Sequence, residues 1–165
     1  MTAAPWTEVT ARLVAACVAL GYRGVMGFDA PDYLASLRTF VDAYEGPAQR
    51  AVAAAPAVFE FYARLFGDTT LSRDARSMVN AVLAYFVVPE DVLPEAEFGP
   101  FGLVDDLFVA GHVFRILRRE LPRGAVSHAW QGDGDVDAVM DLIYTEARGE
   151  LGKRSREVLK LAGLG

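Results

Sequence analysis

Acidic residues crowd one short stretch of this sequence, and they are the residues most able to do chemistry. Between positions 89 and 106 there are six acids and no base: Glu90, Asp91, Glu95, Glu97, Asp105 and Asp106. Carboxylates grouped in this way can bind a divalent cation, and oxygen ligands suit Mg²⁺ or Ca²⁺. One hypothesis is therefore a metal site formed by Asp91, Asp105 and Asp106 with help from Glu95. His112 could join it for a softer metal.

The same acids also allow a structural hypothesis, in which they hold a turn against a helix. Near a helix start, Asp106 can accept backbone N–H groups from its own first turn or from the turn at 91–94, which Asp91 could cap in the same way. On a helical wheel Asp106 lies on an apolar face, so it is expected to be buried. Asp105 lies on a polar stripe with His112, so it is expected at the surface. The sequence favours such a structural clasp, centred on Asp106, over a metal site.

The elements around these acids form a predicted helical hairpin. An apolar helix runs up to Pro89, a rigid turn follows to Pro94, and a Gly/Pro-containing loop leads through Gly102 into a second apolar helix. Prolines fix the backbone of such a turn and stop the preceding helix. The hairpin would therefore set the angle between the two helices that carry the acids.

Residues 81–107 resemble the YkvA-like family, catalogued as domain of unknown function 1232. The family pattern is an apolar helix, Ser-Pro-x-Asp-x-x-Pro-Asp, a short loop and Gly-x-x-Asp-Asp. The positions that match are Pro89, Asp91, Pro94, Gly102, Asp105 and Asp106, while Val88 replaces Ser and Glu95 replaces Asp. The resemblance implies a small α-helical module of unestablished function, some of whose relatives sit beside or within membrane segments. It supplies no catalytic residue.

Apolar residues recur at helical spacing along nearly the whole chain, and no segment shows the alternation of a strand. Helices are predicted at 7–21, 29–44, 47–66 (kinked or divided near Pro56), 72–88, 103–121 and 135–151, with a short basic helix ending at Gly163. Residues 125–134 read as a loop. The predicted fold is all-α, a compact bundle of six or seven helices around the central hairpin, forming one domain over 1–165.

Composition narrows the function classes further. The net charge is −6, which disfavours nucleic-acid binding, and the apolar runs are too short to cross a bilayer. Cys17 is the single cysteine, so no internal disulfide can form and a cytoplasmic location is expected. Abundant Ala and Arg suggest a GC-rich bacterial genome.

A non-enzymatic helical binding or adaptor module is the leading functional prediction. The high hydrophobic share of 53% predicts an exposed apolar surface for a protein partner, or self-association that covers it. The basic C-terminal segment could dock on the acidic stretch, or contact an anionic membrane surface peripherally. The alternative is a divalent-metal-binding protein or metal-dependent enzyme. The sequence does not decide whether the protein is an enzyme, and it favours a protein without catalytic activity.

Overall fold

The computed structural model describes residues 30–87, 92–93 and 95–165. The predicted helix at 7–21, with Cys17, lies outside the described residues, as do Pro89, Asp91 and Pro94 and the side chain of Glu95. Within the described part the α-helices are α1 (Ala30–Val41), α2 (Gln49–Ala53), α3 (Ala55–Phe66), α4 (Arg73–Val87), α5 (Glu95–Phe98), α6 (Val104–Leu117), α7 (Arg123–Ala129), α8 (Val136–Leu151) and α9 (Ser155–Leu161). Short 3₁₀ helices occupy Gly99–Leu103 and Gly152–Arg154.

The predicted all-α bundle is confirmed. The described residues contain seven helices of at least seven residues and no strand. Local signals explain several boundaries. Pro56 in the first turn of α3 accompanies the predicted division from α2, and the Ser72 hydroxyl accepts a hydrogen bond from Ala75 N at 3.1 Å at the start of α4.

Helix α6 lies at the centre of the bundle. It packs against α8 and α4 and also contacts α2, α3 and α9. Every side chain from Val104 to Ala110 is buried. A helix that is buried on all its faces in this way has no solvent side over its first two turns. The bundle is therefore built around the helix that carries Asp105 and Asp106.

The segment predicted as a loop at 125–134 is partly helical, so that prediction is wrong over its first half. Helix α7 begins directly after Pro122 and buries Ala125, Val126 and Ala129. These small apolar residues share one helix face, which packs on α3. The polar residues between them obscured this spacing in the sequence. A helix of this length is not stable by itself, and its burial against α3 stabilises it.

The C-terminal segment turns back onto the bundle. Helix α9 contacts α6, and Val158 is fully buried. Nearby, the Arg154 guanidinium donates to the Val92 carbonyl at 2.9 Å. Arg154 of the basic C-terminal segment therefore contacts the acidic stretch of residues 89–106, through the backbone carbonyl of Val92. Across the residues described, no helix combines the length and apolarity needed to cross a membrane.

Candidate functional site around Asp105

Asp105 is the second residue of α6, immediately after the 3₁₀ helix that contains Gly102. Its side chain is completely buried, so the expectation that it lies at the surface is wrong. The helical wheel placed it correctly beside Phe108 and His112. The polar face of α6 is not exposed at this end, however, because α4 and residues 92–93 cover it.

Three hydrogen bonds hold the Asp105 carboxylate. Its Oδ2 accepts from the Tyr85 hydroxyl at 2.9 Å and from Leu93 N at 3.0 Å, and its Oδ1 accepts from Asp106 N at 3.1 Å. Tyr85 belongs to α4 and Leu93 to the turn that follows it. We call Tyr85, Leu93 and Asp105 the clasp, because together they tie α4, the turn and α6 to one carboxylate.

The electrostatics of the clasp follow from its burial. Loss of water raises the pKa of Asp105 above its usual value, while hydrogen bonds from Leu93 and Tyr85 and the contact with Asp106 act in the opposite direction. Burial and the neighbouring Asp105 also raise the pKa of Tyr85. The Tyr85 hydroxyl therefore stays protonated and keeps its role as a donor.

Asp106 is fully buried, as its apolar helix face predicts. In the part of the chain that the structure describes, Asp105 links α6 to the turn through the hydrogen bond from Leu93 N. Asp105 therefore takes part in a structural clasp of the predicted kind, and the role predicted for Asp106 stays a prediction. Tyr85 was missed at the sequence level, although a hydroxyl within an otherwise apolar helix end was an available signal.

Of the predicted metal ligands, the side chains of Asp105, Asp106 and His112 lie among the described residues. In the described portion of the chain, no group of three or more His, Cys, Asp or Glu side chains is arranged to hold a metal ion. His112 is half-buried two turns along α6, with its ring centroid 6.2 Å from that of Phe108. Burial, together with the charge of Arg115, lowers its pKa, so the imidazole favours its neutral form.

Comparisons with known proteins agree with the residue pattern. The family described as protein of unknown function (DUF1232) matches residues 75–111, which span the clasp from α4 into α6. The chain is also similar to "Uncharacterized protein ORF9" of Methanothermobacter thermautotrophicus, with 30% identity over 121 residues that cover 73% of this chain and 83% of that protein. No solved structure shows significant similarity to the chain. The relative comes from an archaeon, so a bacterial source for this chain is not established. On these matches, the chain belongs to the DUF1232 family.

Proposed function

We propose that this protein is a non-enzymatic helical binding module that acts through contacts with a protein surface, a second copy included, or with a membrane surface. The observation that carries the proposal is the closure of the clasp. The family's matching acid at Asp105 is 0% exposed and is hydrogen-bonded within the fold. In this proposal the motif serves as internal structure, and the surface that it supports makes the functional contacts.

A catalytic role for Asp105 would require it to release its present partners. A substrate that took its Oδ2 would leave the Tyr85 hydroxyl and Leu93 N–H without an acceptor in a buried site. Each such loss costs about 1–3 kcal/mol. Three open hollows on the described surface lie away from the clasp, and none of them is lined by Tyr85, Leu93 or Asp105. This arrangement favours binding at the surface over chemistry at the motif.

An aromatic pair gives this surface a specific contact point. Phe98 ends α5 and is 40% exposed, and its ring centroid lies 6.5 Å from that of Phe101 in the following 3₁₀ helix. The pair follows the turn that the clasp holds. Exposed aromatic side chains on a fixed backbone supply large contact area at small entropic cost, as they do in protein interfaces. We propose a cytoplasmic location for this contact, because one cysteine suits a reducing compartment.

The test combines light scattering after gel filtration, over a range of protein concentrations, with flotation on lipid vesicles. We expect concentration-dependent association, vesicle binding, or both, and we expect Phe98→Ser to weaken it. Phe40→Ser is the matched control, since Phe40 is 39% exposed but lies on α1. A protein that stays monomeric at every concentration and never floats would overturn the proposal. Equal effects of the two substitutions would show that the aromatic pair of Phe98 and Phe101 is not a specific contact point.

A further inference from the structure

We infer that the junction between α8 and α9 is a binding site for a phosphate group. A hollow of about 480 Å³ at this junction is lined by Arg148, Gly152, Lys153, Ser155 and Arg156. It therefore presents three cations and one hydroxyl, and no carboxylate lines it. The inference deepens the proposed function, on which it rests, by naming a chemical group that the surface would recognise.

The three cations are available to a ligand. In the part of the chain that the structure describes, Arg148, Lys153 and Arg156 form no ion pair. All three side chains belong to exposed residues. They gather on a protein whose net charge is −6, so this end differs in sign from the molecule as a whole. Clustered bases without a carboxylate partner repel one another and attract an anion.

Helix dipoles do not account for the whole cluster. Arg148 lies in the last turn of α8, where a base is favoured by the helix C-terminus. Arg156 lies in the first turn of α9, where the dipole disfavours a base. An anion bound between the two helices would offset that cost, and Lys153 on the connecting 3₁₀ helix would face the same ligand.

The backbone holds these groups in place before any ligand arrives. Gly152 has φ 55° and ψ −124°, a conformation that side chains disfavour, and this allows the sharp passage from α8 into the basic segment. Val158 anchors α9 in the core, and Arg154 is bonded to the Val92 carbonyl. The Arg148 guanidinium lies 5.9 Å from the centre of the Tyr144 ring, which orients it. The backbone that carries the site therefore needs no rearrangement when a ligand binds.

Phosphate fits the cluster better than a carboxylate does. The guanidinium groups of Arg148 and Arg156 each offer a planar pair of donors that matches two oxygens of a phosphate. The Lys153 ammonium and the Ser155 hydroxyl can donate to the remaining phosphate oxygens. A phosphate monoester also carries close to two negative charges, so it balances the three positive charges of the site better than a carboxylate with a single charge does. The group could belong to a free phosphate compound or to a lipid headgroup.

Titration calorimetry with inorganic phosphate tests the site on the chain of 165 residues. We expect saturable binding to the wild type, and about tenfold or greater weakening in the double variant Lys153→Gln/Arg156→Gln, because two charge-assisted contacts are lost. Arg119→Gln/Arg123→Gln is the matched control. It removes the same charge at exposed positions outside the hollow and should bind as the wild type does. Unchanged thermal melting verifies that each variant is folded.

Flotation with phosphatidylcholine vesicles, with and without phosphatidic acid, separates the two sources of phosphate. Binding to inorganic phosphate together with phosphatidic acid vesicles indicates a lipid headgroup, whereas binding to inorganic phosphate alone indicates a free compound. No saturable phosphate binding, or equal loss in the control, overturns the inference. Self-association that persists in that case leaves the proposed function standing, so the two failures can be told apart.

Discussion

Asp105 is a buried carboxylate, and the groups around it must replace the water that it loses. An unpaired charge in such a site is costly, whereas one that accepts several hydrogen bonds is tolerated. The Tyr85 hydroxyl and the backbone N–H groups of Leu93 and Asp106 provide these bonds. Because the three donors come from α4, the turn and α6, the residue stabilises their arrangement as well as itself.

Replacing Asp105 should reveal this role. Asp105→Ala removes every side-chain acceptor, and we expect it to lower the free energy of unfolding by about 1–3 kcal/mol, since buried donors are left unsatisfied. Asp105→Asn keeps one acceptor oxygen and should cost less. Urea unfolding of both variants measures the difference. An alanine variant as stable as the wild type would show that the clasp does not stabilise the fold.

The titration of Asp105 gives a second prediction. Because burial raises its folded-state pKa above 3.8, the folded protein holds a proton that the unfolded chain has already released. The resulting stabilisation is complete below about pH 4 and is lost as the pH rises through the folded-state pKa. We therefore expect the stability of the wild type relative to Asp105→Asn to fall with rising pH and then level off.

Urea unfolding over a series of pH values checks this sign. Both proteins retain His112, whose pKa is lowered, so its contribution cancels in the difference. A difference that rises with pH would mean that the surroundings favour the charged form of Asp105.

At the scale of elements, the contact between α6 and α8 determines how closely the bundle can pack. A Cβ atom added at Gly111 would lie 2.9 Å from the Tyr144 Cβ and 3.1 Å from its Cα. Those atoms belong to the backbone region of α8 and cannot move without the helix. Close packing therefore requires glycine at position 111, although alanine has the higher helix propensity.

We expect Gly111→Ala to destabilise the protein by about 1–3 kcal/mol through overpacking, despite the higher helix propensity of alanine. Gly149→Ala is the internal control. Position 149 also lies in a helix, but a Cβ atom there would have nothing within 4 Å, so the substitution should be neutral or stabilising by up to about 1 kcal/mol. Thermal melting compares the two. Stabilisation by both substitutions would show that α6 and α8 can separate at little cost.

At the scale of the whole molecule, the C-terminal helix closes onto the same central element as the clasp. Val158 of α9 is fully buried against the bundle, and α9 contacts α6. The chain end is thus linked to the helix that carries Asp105, as expected if residues 30–165 unfold as one domain.

Val158→Ala tests this expectation. We expect a loss of about 1–3 kcal/mol from the smaller buried side chain, with the shift seen equally by far-ultraviolet circular dichroism and by tryptophan fluorescence. Trp130 reports on the core around Phe61, since the two ring centroids lie 6.0 Å apart. Two separate transitions, or a shift in only one signal, would show that α9 unfolds independently.

The sequence by itself determined the helical class, most helix boundaries and the motif that carries the family. These depend on local properties: apolar spacing, the capping hydroxyl of Ser72, and the stops imposed by Pro and Gly. It also identified Asp106 as buried, since its neighbours on that face of α6 are all apolar.

Only the tertiary structure decided that Asp105 takes part in the clasp, and which elements cover it. A helical wheel assigns residues to faces, but it cannot show whether a polar face meets water or another helix. Because α6 is enclosed on every side near its start, Asp105 is as buried as Asp106. Its partners lie 20 and 12 residues earlier, at Tyr85 and Leu93. Contacts over such distances arise from the packing of α4 against α6, which no local pattern specifies.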